Sequence, residues 1–213
     1  MSSVDPIISP KGTHSMRTHN GATLRLLTAL ALVAASLCGM EAALAAGPAH
    51  PPFNEKGELI VPRDYHFWVF LGSPLTPNAL NGGKAGFPEY HNVYVRPDAY
   101  REYQRTGVWP EGTMMLKELQ LTRPGTNANG SSVEPSGVGY FPATRNGLDI
   151  SVKDAKRFKD TNGWGFFTVG HHAPPYAATA AVAPKETCAA CHIANATKDM
   201  VFSRFYEPIL KSE

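Results

Sequence analysis

Residues 188–192 read Cys188-Ala189-Ala190-Cys191-His192, a C-x-x-C-H run in the last part of a 213-residue chain. Two thiols at this spacing can add across the two vinyl groups of a haem, and the histidine that follows is then placed to ligate the iron. The run therefore predicts one covalently bound haem c. Cys188 and Cys191 are the predicted attachment residues, and His192 is the predicted metal ligand.

Two other interpretations fit the run less well. A thioredoxin-like C-x-x-C motif belongs early in a βαβ unit, whereas this run comes after most of the sequence. A zinc site would need a second pair of ligands. The one other cysteine, Cys38, lies in an N-terminal segment that we expect to be removed.

Residues 1–46 have the pattern of a secretory signal peptide. An apolar run over residues 26–35 follows two arginines and precedes Ala43-Leu44-Ala45, an A-x-A cleavage signal. The apolar run is shorter than the ~20 residues that a transmembrane helix needs. We therefore expect cleavage, export to the periplasm and no membrane association afterwards. Residues 47–213 are the expected mature chain, a single c-type haem domain.

The charge balance argues against one class of partner. The chain has 20 Lys+Arg and 18 Asp+Glu, a formal net charge of +2. A protein that binds nucleic acid usually carries a clustered basic face. We therefore expect no nucleic-acid partner.

Alternating apolar and polar residues predict strands, so the expected fold class is α+β, mainly β, with an antiparallel sheet and a few helices. The expected strands are His91–Val95, Gly112–Arg123, one that opens at Gly139-Tyr140-Phe141, Leu148–Lys153 and Trp164–Val169. The Asn146-Gly147 pair predicts a turn between the third and fourth of these. By periodicity, residues 65–71 fit a strand or a short apolar helix.

Two helices are expected. One runs from Pro97 to Thr106, because proline suits the first turn and Gly107 suits the C-terminal stop. The second follows Thr187, the expected cap, and continues through Asn195. This second element is the predicted C-terminal haem-attachment helix.

Lys117 has an unexpected place in its strand. Period-two counting puts it on the same face as Met115, Leu119 and Leu121, and puts Glu118 on the opposite face. A lysine on an apolar face is costly unless it is paired, extends to solvent or is used chemically. Counting alone leaves these alternatives open.

Several stretches also resemble a known family. They are Phe87-Pro88-Glu89-Tyr90-His91-Asn92-Val93-Tyr94, Pro110-Glu111-Gly112-Thr113, Lys117-Glu118-Leu119, Val152-Lys153-Asp154-Ala155-Lys156-Arg157-Phe158 and the C-x-x-C-H run. Over roughly residues 58–210 the chain is similar to the cytochrome P-460 family, to which the cytochromes c′-β are related. Each stretch alone is a weak signal, but together they are specific.

The resemblance implies a mainly antiparallel β subunit, usually a homodimer, around a five-coordinate haem. It implies that Lys117 matches a lysine that forms an extra covalent link to the haem macrocycle. Members with this lysine oxidise hydroxylamine to nitric oxide or nitrous oxide and pass electrons to an external acceptor such as a soluble c-type cytochrome. The related cytochromes c′-β lack the lysine and bind nitric oxide without catalysis, which is the alternative function.

One position departs from the family pattern. Active members place a carboxylate near the position of Ala143 or Thr144, where it acts as a base for the hydroxylamine protons. No carboxylate stands there in this sequence, so activity is expected to be weak unless Asp149 or Glu118 substitutes. Glu118 is the poorer substitute, because it points to the strand face opposite Lys117.

A third hypothesis is simple electron transfer, which would need a sixth iron ligand. Met115 shares the Lys117 face and is one candidate for that ligand. The His171-His172 pair is another, although the prolines that follow favour an exposed loop.

Overall fold

The computed structural model describes residues 49–210, so the predicted signal peptide lies outside the described residues. The strands in the described part are β1 (Leu59–Ile60), β2 (Val69–Gly72), β3 (Tyr90–Val95), β4 (Met114–Thr122), β5 (Ser132–Glu134), β6 (Gly137–Gly139), β7 (Pro142–Lys153), β8 (Trp164–Thr168) and β9 (Thr179–Ala180). The α-helices there are α1 (Pro97–Thr106), α2 (Ala189–Asn195) and α3 (Glu207–Leu210). Short 3-10 helices cover Tyr65–Phe67, Asn78–Leu80, Lys159–Thr161 and Ser203–Phe205. None of the helices between residues 49 and 210 is long and apolar enough to cross a membrane.

A five-stranded antiparallel sheet in the order β2-β3-β4-β7-β8 forms the centre of the domain. Two small two-stranded sheets, β1-β9 and β5-β6, lie beside it. The predicted class, α+β and mainly β with an antiparallel sheet, is confirmed.

The sheet is covered on both faces, which we call front and back. The front face carries Met115 and Lys117 of β4, and its apolar residues pack against α1, α2 and the chain near Met200. The back face carries Met114, Leu116 and Glu118, and packs against β1 and the 3-10 helix that begins at Tyr65. Burying each large apolar side chain here contributes about 1.5–3 kcal/mol relative to exposure.

Helix α1 has the predicted bounds. Pro97 occupies the first helical position, and Gly107 ends the helix in the left-handed region with φ 71°. The Gly107 N–H donates to the carbonyl of Tyr103 at 2.7 Å. The Tyr103 ring then stacks on Trp109, with ring centroids 3.9 Å apart, and fixes the helix against the front face.

The predicted turn at Asn146-Gly147 is wrong. Strand β7 runs without a break from Pro142 to Lys153, and the irregularity at this point is a register shift between Leu119 and Gln120 of β4. Gly147 has φ 148°, and a Cβ atom on it would lie 2.7 Å from the Gly170 carbonyl oxygen. The glycine therefore allows a close approach of two chain segments rather than a hairpin.

One open expectation is resolved and another is wrong. Residues 65–71 contain both of the elements that periodicity allowed, since a 3-10 helix ends at Phe67 before β2 begins. Thr187 does not cap the C-terminal helix, because its hydroxyl donates to the Pro184 carbonyl at 2.7 Å. The helix instead begins at Ala189, with Cys188 at the N-cap position.

Gly165 of β8 tests how tightly the back face is packed. A Cβ atom at this position would lie 2.4 Å from the ring of Phe158. We expect Gly165→Ala to lower the free energy of unfolding by about 1–3 kcal/mol, the usual cost of overpacking a core. Urea denaturation followed by tryptophan fluorescence measures this change.

Gly86→Ala is the matched control, because Gly86 is exposed and a Cβ atom there meets nothing within 4 Å. Equal stability of the two variants would mean that the Phe158 ring moves aside freely.

Candidate functional site

A cavity of about 330 Å³ lies between the front face of the sheet and the C-terminal part of the chain. On the sheet side it is lined by residues of β3, β4, β7 and β8, together with Phe87. On the other side it is lined by α2 and by residues 200–202, 205 and 206. A volume of this size lies in the range of small-molecule and cofactor sites, which are also mostly apolar.

His192 of α2 faces this cavity and is held in a defined orientation. Its Nδ1 atom lies 2.6 Å from the carbonyl oxygen of Met200. The ring also contacts Phe166 and Phe202, at centroid distances of 4.5 and 4.9 Å. The carbonyl can only accept, so Nδ1 carries the proton and Nε2 keeps its lone pair for a ligand.

The electrostatics of the cavity favour a neutral His192. Burial lowers the pKa of His192 below its ordinary value, and the Lys117 ammonium lowers it further. The hydrogen bond with Met200 and the Asp149 carboxylate act in the opposite direction but do not overcome burial. A neutral imidazole is the form that binds a metal ion.

The two cysteines of the C-x-x-C-H run line the same cavity as His192. Cys188 is at the N-cap of α2 and Cys191 lies in its first turn. Neither cysteine forms a disulfide bond within the described residues. Residues three apart on a helix lie on one face, so α2 presents both thiols toward the cavity.

Lys117 also lines the cavity, and its charge is paired. Its Nζ atom lies 3.0 Å from Oδ2 of Asp149, its register partner on β7. The same Nζ lies 4.3 Å from the centre of the Phe87 ring, which is within the range of a cation–π contact. The lysine is 27% exposed, so pairing and partial exposure together explain how it sits on an apolar face.

Asp149 is the carboxylate of the cavity. Burial by itself raises its pKa, but the Lys117 ammonium, His171 and the Thr168 hydroxyl together lower the pKa below the ordinary value. Its Oδ1 atom lies 3.4 Å from Nε2 of His171. Asp149 is therefore a charged group between the cavity and the loop that follows β8.

Glu118 is directed away from the cavity, as period-two counting predicts. It is 4% exposed on the back face. Its Oε1 atom accepts from the Tyr65 hydroxyl at 2.7 Å and lies 3.0 Å from Nε of Arg145. This carboxylate is used in a polar cluster of the back core, which removes it as a substitute base.

His91 and His171 are two further residues near the cavity; the sequence placed His91 only in a strand and His171 in a pair that was either a sixth iron ligand or part of an exposed loop. His91 lines the cavity, and its Nε2 atom is buried without a hydrogen-bond partner in the described residues. Burial lowers the pKa of His91. Period-two counting back from Val93 could have placed His91 on the front face, but no sequence signal brings His171 to Asp149.

A family model described as cytochrome P460 matches residues 62–203. The chain belongs to the cytochrome P460 family. Membership makes it a haem-binding cytochrome of a family associated with oxidoreductase activity. A search of curated proteins finds no match for this chain.

The cavity residues of this cytochrome fit a haem. Metal-binding histidines usually donate their second ring N–H to a backbone carbonyl or carboxylate, which is the bond that His192 makes with Met200. His192 would therefore hold the iron through Nε2. Apolar side chains such as Val93, Met115 and Phe166 would cover the macrocycle.

Ala143 and Thr144, the predicted distal position, are not brought to this cavity. Both lie at the beginning of β7, where the Ala143 carbonyl accepts from the Gln120 side chain at 2.9 Å. Neither residue is part of the cavity lining, whereas Asp149, further along the same strand, is. A role for Ala143 or Thr144 stays a prediction.

The orientation of His192 suggests a direct test. We expect His192→Ala to remove the ligand that His192 would supply to the iron and to change the visible spectrum of the haem-loaded cytochrome. Added imidazole should restore the original spectrum, because the space next to the Met200 carbonyl remains. A spectrum that is unchanged by the substitution would contradict the assignment of His192 as the ligand.

Proposed function

We propose that the protein is a c-type cytochrome that oxidises hydroxylamine. In this proposal Cys188 and Cys191 form thioether bonds to one haem, and His192 ligates its iron. The observation that carries the proposal is the Lys117–Asp149 ion pair in the same cavity as these three residues, with Nζ and Oδ2 3.0 Å apart. A haem bound in this cavity would have an amine and a carboxylate beside it.

We further propose that Lys117 forms a third covalent link to the haem. Its amine lines the cavity, and the Phe87 ring covers it at 4.3 Å. A linked nitrogen would no longer be an ammonium, so its remaining burial would cost less free energy. When bound, the haem supplies the redox-active iron that takes up electrons, and a link of this kind is a means of tuning the iron.

Asp149 is the proposed acceptor of the protons that hydroxylamine loses on oxidation. A positioned base typically contributes 10²–10⁴-fold to a rate. As long as Lys117 is an ammonium, it holds the pKa of Asp149 below the ordinary value. If the lysine nitrogen is linked and uncharged, burial acts on Asp149 with less opposition and raises its pKa. Asp149 is then a better base.

The alternative function is binding of nitric oxide without catalysis, as in the cytochromes c′-β. The observation that favours it is the same ion pair in its charged form, because a carboxylate with a depressed pKa is a weak proton acceptor. A neutral diatomic ligand needs no base, and the aromatic lining of Phe87 and Phe166 would suit it.

The remaining features of the proposal are the location of the protein, its electron acceptor and its oligomeric state. We propose that residues 1–46 are a cleaved signal peptide and that the mature cytochrome acts in the periplasm. Electrons would pass to an external acceptor such as a soluble c-type cytochrome. The mature protein is proposed to be a homodimer that binds no nucleic acid.

Lys117→Met separates the proposed functions. We expect the wild-type protein to retain its haem after chemical cleavage of the thioethers, and Lys117→Met to release it. The ferrous wild type should absorb near the band for which the family is named, and the variant should have an ordinary haem c spectrum. Hydroxylamine turnover with an artificial electron acceptor should fall, because the iron loses the tuning that the link provides, whereas Asp149 has no ammonium beside it in either the linked protein or the variant.

Lys198→Met is the control for Lys117→Met. Lys198 also lies over an aromatic ring, with Nζ 5.2 Å from the centre of Tyr103, but it does not line the cavity. Haem released equally from wild type and Lys117→Met would exclude the third link. A cross-linked wild type that binds hydroxylamine without turnover would favour the gas-binding function.

A further inference from the structure

We propose that Asp149 and His171 form a proton relay that connects the cavity to solvent, a role that rests on the proposed oxidation of hydroxylamine. Asp149 faces the cavity through Oδ2, which contacts Lys117, and faces the loop after β8 through Oδ1. His171 Nε2 lies 3.4 Å from that Oδ1 atom. The side chain of Asp149 is 20% exposed and that of His171 is 45% exposed, so the pair leads from the lining outward.

His171 is held in this place by the surrounding chain. Its ring meets Phe87 with centroids 5.8 Å apart. A Cβ atom on Gly147 would lie 3.2 Å from Cδ2 of His171 and 2.7 Å from the Gly170 carbonyl oxygen. The missing side chain at Gly147 is thus what lets the loop approach β7 closely enough for His171 to reach Asp149. The present separation is long for a hydrogen bond, as is common in proton-transfer sites without substrate.

The polar groups that face Asp149 come from each neighbouring element. They are Lys117 on β4, the Thr168 hydroxyl on β8, and His171 on the loop. His91 on β3 and His192 on α2 also lie within electrostatic reach of Asp149. His91 is not an exit route, because its Nε2 atom is buried without a partner in the described residues. His171 is the titratable group of this set that joins Asp149 to solvent.

The proton steps balance without a further reactant. The Asp149 carboxylate accepts a proton from an N–H or O–H bond of hydroxylamine, and the electrons of that bond leave separately to the external acceptor. Asp149 then passes the proton to Nε2 of His171, and the imidazolium releases its Nδ1 proton to water. Exchange with water restores the starting tautomer, and the carboxylate is regenerated.

His171→Gln in the haem-loaded cytochrome tests the relay. We expect hydroxylamine turnover to fall about tenfold, less than the 10²–10⁴-fold effect of a positioned base, because water reaches part of Asp149. Collidine, a buffer base of similar strength that is too hindered to ligate iron, should restore the rate in proportion to its concentration. Turnover equal to wild type, or a loss that collidine does not repair, would overturn the relay.

His172→Gln is the matched control, because the neighbouring His172 is also exposed but its Nδ1 atom lies 2.7 Å from the Ala173 carbonyl. It should turn over like wild type and show no rescue. A rescue by collidine in this variant as well would mean that buffer acts without any relay through His171.

A second measurement does not depend on turnover. The carboxyl stretch of Asp149 in the infrared spectrum follows its titration, with Asp149→Asn identifying the band. His171 lowers the pKa of Asp149, so His171→Gln should raise it while His172→Gln leaves it unchanged. A wild type without hydroxylamine turnover would refute the proposed function, and the relay would then be judged by this titration. An unchanged Asp149 pKa in His171→Gln would refute the coupling of the pair.

Discussion

The register of β4 between β3 and β7 is the constraint on which the site depends. It pairs Lys117 with Val93 on one side and with Asp149 on the other. Successive residues of a strand point to opposite faces, so a slip of one residue would exchange the faces of Lys117 and Glu118. The lysine would then enter the back core next to Arg145, and the cavity would lose its amine. Apolar residues on both faces of β4 resist such a slip, because each would move to the wrong core.

Sequence patterns predicted correctly the elements that depend only on residues close together in the chain. Helix α1 follows directly from Pro97 and Gly107, and the opposite faces of Lys117 and Glu118 follow from the two-residue period of a strand. The prediction from the Asn146-Gly147 pair was wrong because this pair occurs in hairpin turns and also inside strands where two segments approach closely. Which of these occurs depends on the Gly170 carbonyl, which approaches Gly147 from another part of the chain.

In the candidate site, too, the residues that are close in sequence were predicted and the contacts between distant segments were not. The two thiols and His192 lie at the N-cap and in the first turns of one helix, so their spacing alone predicted that they act together on a haem. Asp149 and His171 come together with Lys117 only through strand register and a loop contact. The partner that orients His192 is a backbone carbonyl, that of Met200, and backbone groups leave no residue-type signal in a sequence. Asp149 was named from the sequence as a possible base, but the contacts that orient and tune the site were not predicted.

The Lys117–Asp149 ion pair also makes the basicity of Asp149 depend on whether Lys117 is linked to the haem. In the charged state Lys117 stabilises the Asp149 carboxylate and weakens it as a base, since the same attraction that offsets burial lowers the pKa. Loss of the lysine charge would leave a partly buried carboxylate whose remaining neighbours are His171 and Thr168. A covalent link at Lys117 would thus alter the haem and the proton acceptor in one step. The carboxylate expected at Ala143 or Thr144 would then not be required, because the base would be Asp149, on the strand next to the lysine.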